Sequence, residues 1–301
     1  MSLCQEFLNK QKLEWLRSAT ETCNSAILVF KVKIAANLAD SQPVRSSTES
    51  SSRALNLALE GQAQLVSAAL SEKPSKVNSL DADGRSPLHN ACSSGSLSVV
   101  RVLLEHQEPK CDLELPDSMG WTALIIAASA GITEVVSELI HAGANVNATN
   151  EKGQSAFSNL CPRHYAASKG RTEIGAMLIR YGADINAKDR ANQQPLHRAA
   201  SSGATPFIKL LLQPRLKSDG EPDTETPKLK LNQLDRAGHT PLHLALESGH
   251  AEAACILIEA GADRGRLDFD GKRPEELTDV LGDQERRRVL QYIESRCGKY
   301  H

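Results

Sequence analysis

The chain has 301 residues, 40% of them apolar and 24% charged, proportions ordinary for a soluble protein built as one or two compact domains or as one elongated array. A formal charge of -2 and a pI near 6.5 exclude a chain-wide drive toward nucleic acid or anionic membrane, and no run approaches the roughly 18 apolar residues of a membrane span. Seven scattered cysteines without a C-x-x-C pair exclude a zinc or dithiol motif and fit a reducing compartment; with no signal or transit pattern at the N-terminus, a cytoplasmic and nuclear location is expected.

Residues 1–53 read as an N-terminal extension. Up to about residue 39 they can form one or two amphipathic helices or stay unordered, and SQPVRSSTESSSR (41–53) reads as a Ser-rich linker. Residues 56–81 then show a helix, a Gly and a second helix. Three aligned stretches follow: DADGRSPLHNACSSG (81–95), DSMGWTALIIAASAG (117–131) and DRAGHTPLHLALESG (235–249). DRANQQPLHRAASSG (189–203) fits with Asn192 in place of the first Gly, and DFDGKRPEELTDVLG (268–282) is a degraded copy. A second apolar half follows most of them, as in TEVVSELIHAGANVN (133–147).

Gly120 and Gly153 lie 33 positions apart, as do Gly238 and Gly271, and this spacing with the T-P-L-H-x-A core resembles the ankyrin repeat. Each feature has a physical role. Ser86, Thr122 and Thr240 can cap the first helix, Pro87, Pro195 and Pro241 take its first position where no amide is needed, and Gly95, Gly131, Gly170, Gly203 and Gly249 suit a left-handed residue that ends it. The expected architecture is all-α: an ankyrin-repeat solenoid of about seven helix-turn-helix repeats with projecting β-turn loops, over residues 54–296. Residues 297–301 form a tail. Terminal copies depart from the consensus because they face water.

The period is broken twice. Asn192 follows Gly153 by 39 positions and Gly238 follows Asn192 by 46, an excess of six and thirteen. In the first case Phe157–Arg163 stands where one Leu belongs; deleting the seven and restoring it yields GQSALHYAASKG. The segment is either a bulge before a helix restarted by Pro162 or translated intron, and an interruption through a helix start favours the second. The other insertion, residues 214–230, follows a second helix and reads as a surface loop, which costs little to lengthen.

No catalytic or metal chemistry is expected. His89, His164, His197 and His243 occupy one position of the repeats, replaced by Ile125 in the third; that position in adjacent repeats lies about 8–10 Å apart, too far to share a zinc ion, and each is expected to bond the neighbouring loop's backbone instead. GRLDFDGKR (265–273) fails as a phosphate-binding loop in its spacing and in Arg273. Asp117, Glu151, Asp189, Asp235 and Asp270 recur as turn-forming residues, and Cys92 and Cys255 sit where small core residues belong. What remains is a cofactor-free, monomeric scaffold whose concave face grips another protein, with no nucleic acid or membrane as partner.

The match runs further, from about Leu55 to Arg296: NLALEGQ, DADGRSPLHNACSSG, MGWTALIIAASAGITEVV, GANVNATNEKGQSA, HYAASKGRTEI, ADINAKD and GHTPLHLA. In these stretches the chain resembles the gankyrin family in its fungal form, seven-repeat chaperones and subunits of the proteasome regulatory particle. The resemblance implies binding to the C-terminal domain of one base ATPase subunit, helping the ring assemble and blocking premature docking on the core particle. By position it implies concave charged contacts at Arg85 and Lys169, with Asp117 and Trp121 nearby on the same face. Mammalian members carry an L-x-C-x-E stretch linked to retinoblastoma-protein binding; LALES (244–248) has Leu246 and Ser248 at the deciding positions, so that activity is not implied. A generic ankyrin adaptor in signalling or transcription is the alternative.

Overall fold

A computed structural model describes residues 49–160, 168–213 and 228–299, with side chains from Ala54 onward and not at 168–170. The sequence features at 1–48, at 161–167 (His164 and the last three inserted residues, Cys161, Pro162 and Arg163) and at 214–227 lie outside the described residues.

The described chain is a stack of helix pairs: α1 (Glu49–Leu59) with α2 (Ala63–Glu72), α3 (Pro87–Ser94) with α4 (Leu97–Glu105), and α5 (Ala123–Ala130) with α6 (Thr133–His141). After α7 (Ser168–Arg180) come α8 (Pro195–Ser201) with α9 (Thr205–Leu212), and α10 (Pro241–Glu247) with α11 (Ala251–Glu259). A 3-10 helix, Pro274–Val280, and α12 (Asp283–Cys297) complete it. Among the described residues there is no sheet, only one isolated bridge between Thr149 and Ser155. The fold is the expected all-α ankyrin solenoid.

Its first helices start as anticipated. The Ser86 and Thr240 hydroxyls accept from the backbone amides of His89 and His243, each at 3.4 Å, with a Pro next in line. Gly95 ends α3 at φ 74°, in the left-handed region that a side chain disfavours. Among the Val and Leu pairs of the second helices, Val99, Val100, Leu103, Val135, Val136 and Leu139 are fully buried between neighbours, while Leu104 and Leu212 are half-buried. At roughly 1.5–3 kcal/mol per buried side chain of this size, stacking outweighs the marginal stability of helices only eight or nine residues long.

Three expectations need correction. The first helix begins at Glu49, inside the run expected to be a Ser-rich linker through Arg53, and it buries Ala54, Leu55 and Ala58. Gly170, expected to break two helices, lies within α7, which runs on through it. And the interrupted repeat is not empty sequence at Phe157: its ring is fully buried, and Leu160, the last residue of the 3-10 turn Ser158–Leu160 that follows, is 1% exposed. Space beside Leu160 comes from Gly175, which stands in α7 where the preceding repeats carry Val100 and Val136. A Cβ there would lie 2.8 Å from the Phe207 ring and 2.9 Å from Leu210. Phe207 and Leu210 of the next repeat, with the inserted Leu160, therefore fill the hollow left by a missing valine.

Candidate partner-binding site

Each projecting turn, or finger, is organised by one acidic or amide side chain. In Asp117, Oδ1 accepts from the amides of Met119 and Trp121, both at 2.8 Å. Asp189, Asp235 and Asp268 each take two turn amides in the same way. In the fourth finger Asn150 does so, accepting from Lys152 and Gln154 at 2.9 and 3.0 Å. Glu151 and Asp270, expected among the turn formers, are instead exposed one or two residues further along their fingers. Asn192 adopts φ 61° without being Gly, and its side chain donates to the Leu234 carbonyl at 2.8 Å.

With Oδ1 committed to the turn, Oδ2 faces the preceding repeat. Gln193 Nε2 donates to Asp235 Oδ2 at 3.0 Å, His239 Nε2 lies 3.6 Å from Asp268 Oδ2, and Arg85 Nε lies 3.8 Å from Asp117 Oδ2. Asp117 is thus both a turn former and the partner of Arg85. Its own side chain is 4% exposed, while that of Arg85 is 37% exposed. The Arg85 Nε is buried without a hydrogen bond, so the guanidinium is held over the carboxylate but not saturated by it.

Trp121 is fixed from behind. Ser86 N donates to His89 Nδ1 at 3.1 Å, which leaves Nε2 to carry the ring proton and donate to the Trp121 carbonyl at 2.9 Å. His197 and His243 repeat the device, taking the amides of Gln194 and Thr240 and reaching Gln233 O at 3.0 Å and Lys272 O at 3.3 Å. These three histidines bond neighbouring loop backbone, as expected, and burial lowers the pKa of each. Burial also pushes up the Cys92 thiol, and it takes Cys255 to about 12, in keeping with small core residues.

Arg85, Asp117 and Trp121 come together around a groove of about 310 Å³ between the second and third repeats, completed by Met119, Ile126 and Ser129. Lys169 falls in the first turn of α7, two repeats on, and its side chain lies outside the described residues. The sequence reading missed the apolar half of the groove. Met119, 53% exposed at the finger tip, and Ile126, on the first helix, give it a floor that charge alone did not indicate. An apolar residue at an otherwise polar tip was the available signal. Among the described residues no group of three His, Cys, Asp or Glu could hold a metal ion.

A family model for ankyrin repeats in three copies matches residues 54–150 and 163–268, leaving out most of the interrupted segment. The chain is also 33% identical over 211 residues to the "Probable 26S proteasome regulatory subunit p28" of Saccharomyces cerevisiae, covering 69% of this chain and 85% of that protein. The chain belongs to the gankyrin family of ankyrin-repeat proteins. Similarity of another kind links this gankyrin-family chain to ankyrin repeat and SAM domain-containing protein 6 of Rattus norvegicus, 38% identical over 32% of this chain and 11% of that one. Neurogenic locus notch homolog protein 1 of Xenopus tropicalis is 38% identical over 29% of this chain and 3% of its own. Those two likenesses stop at a few repeats, whereas the first spans most of a gankyrin array.

Proposed function

We propose that this protein is a scaffold of the proteasome regulatory particle, an assembly chaperone that holds the C-terminal domain of one base ATPase subunit on its concave face and works in the cytoplasm and nucleus. The observation that carries the reading is the likeness to a protein named as a 26S proteasome regulatory subunit, extended over 85% of that subunit's length. The groove supports it chemically. Arg85 offers a half-exposed cation whose Nε lacks a hydrogen bond, and Trp121, Met119 and Ile126 offer apolar surface beside it, a combination suited to an acidic protein surface with an apolar anchor. No bond is made or broken in this role. Affinity capture from lysate tests it: the wild-type chain should retain a base ATPase, and Arg85→Glu combined with Lys169→Glu should lose it while helical content and melting stay unchanged. A wild-type chain that retains no base subunit defeats the reading.

A further inference from the structure

The finger tips of the fourth to seventh repeats form a second surface, beyond the groove between the second and third repeats. Finger tips along the array are tied in a row by backbone hydrogen bonds: Ser118 N donates to Asp83 O at 3.0 Å, Arg190 N to Lys152 O at 2.9 Å, and Arg236 N to Ala191 O at 3.1 Å. The backbones of these tips are therefore held in a file. Along that file the charge changes sign. The early fingers expose Asp83, Asp112 and Glu114, whereas the later ones, beside Glu151, Asp184, Asp263 and Asp270, expose six cations, Lys152, Lys188, Arg190, Arg236, Arg266 and Lys272. On the helices some cations are matched, as in Arg101 with Glu138 and Arg296 with Glu259, both at 2.6 Å. Among the described residues none of those six makes an ion pair. At the end of the file Leu267 and Phe269 are 50% and 70% exposed.

We propose that the finger tips of the fourth to seventh repeats bind an extended acidic protein segment that carries a carboxylate at about every third residue and an apolar residue at one end. Packed helices lie about 8–10 Å apart and an extended chain advances about 3.3 Å per residue, so one acidic side chain in three meets one finger. A long polyanion fits less well. Glu151 and Asp270 stand among the cations, and the acidic early fingers would repel a backbone that continued past the third repeat. The site does not depend on the ATPase reading, because Arg85 and Trp121 take no part in it.

Fluorescence anisotropy on the full chain tests this, with a labelled peptide about fifteen residues long that has glutamate at every third position and a terminal Phe. Binding should weaken by about tenfold or more in Lys152→Glu/Arg190→Glu/Arg236→Glu and with added salt. The glutamine triple variant should fall between, and Arg85→Glu should bind as wild type. Equal binding by the charge-reversed variant overturns the proposal, as does equal loss in Arg85→Glu. Tighter capture of single-stranded DNA of the same length, or of phosphatidylserine vesicles, also overturns it, since either would make the surface a general polyanion site.

Discussion

Phe157 packs against Phe207 with ring centroids 5.2 Å apart and planes tilted by 43°, joining a residue that interrupts the repeat to the second helix of the next one. Beside it, Gly175 supplies no side chain, so Phe207 and Leu210 of α9 can close in on α7. A cost comes with it. Gly inside a helix loses about 1 kcal/mol relative to Ala, and the buried aromatic pair more than offsets that.

Phe157→Ala should therefore destabilise the fold by about 3–5 kcal/mol, and Gly175→Val by about 1–3 kcal/mol, in urea unfolding. The two should couple. With the Phe157 ring gone, Phe207 has room to yield, so Gly175→Val should cost less in the Phe157→Ala background. Additive losses would mean that the two positions do not share one space. A deletion of Phe157–Arg163 with Leu restored that left stability unchanged or raised it would show the inserted aromatic to be surplus.

Acid should loosen the stack before it protonates most carboxylates. His89, His197 and His243 accept a backbone amide at Nδ1, so the charged ring cannot keep that bond, and burial depresses the pKa of each below its ordinary 6.5. The unfolded chain then takes up protons first as pH falls. Stability is full above about 6.5 and is lost below it, toward the folded-state values, by up to about 1.4 kcal/mol per pH unit for each histidine. Urea midpoints at several pH values between neutral and about 5 check this. A midpoint that held constant or rose on acidification would contradict the tautomer assignment.

Trp121→Ala separates the two halves of the groove. The indole borders the cavity while the contact from His89 is made to the main-chain carbonyl, which the substitution leaves in place. Partner capture should fall about tenfold or more, with melting lowered only modestly. A large drop in melting temperature with unaltered capture would assign Trp121 to packing between repeats instead of to the partner surface.

Much of this could be read from the chain alone, for a reason specific to solenoids. Each repeat contacts its neighbours in the same way, so a residue's place in the period sets its surroundings: Pro87 begins a helix, Gly95 ends one, and His89 turns to the next loop. The family resemblance, not the period, implied that Arg85, Asp117 and Trp121 share one face, and the structure brings them together around one groove. Local pattern failed where contacts were not periodic. The start of α1 at Glu49 was hidden because serines read as linker even when a helix buries Ala54 and Leu55 beyond them.

Only the tertiary structure decided what fills the broken fourth repeat. A glycine at 175 reads by itself as a weak helix position, and FSNL reads as an intrusion; that the absence of one side chain makes room for others depends on the distance between α7 and α9, which no single segment encodes. The sequence determined the period, the caps and the order of the fingers through local backbone preferences. Tertiary packing decided which departures from that period were accommodated, because van der Waals contact depends on the volume that neighbouring helices leave between them.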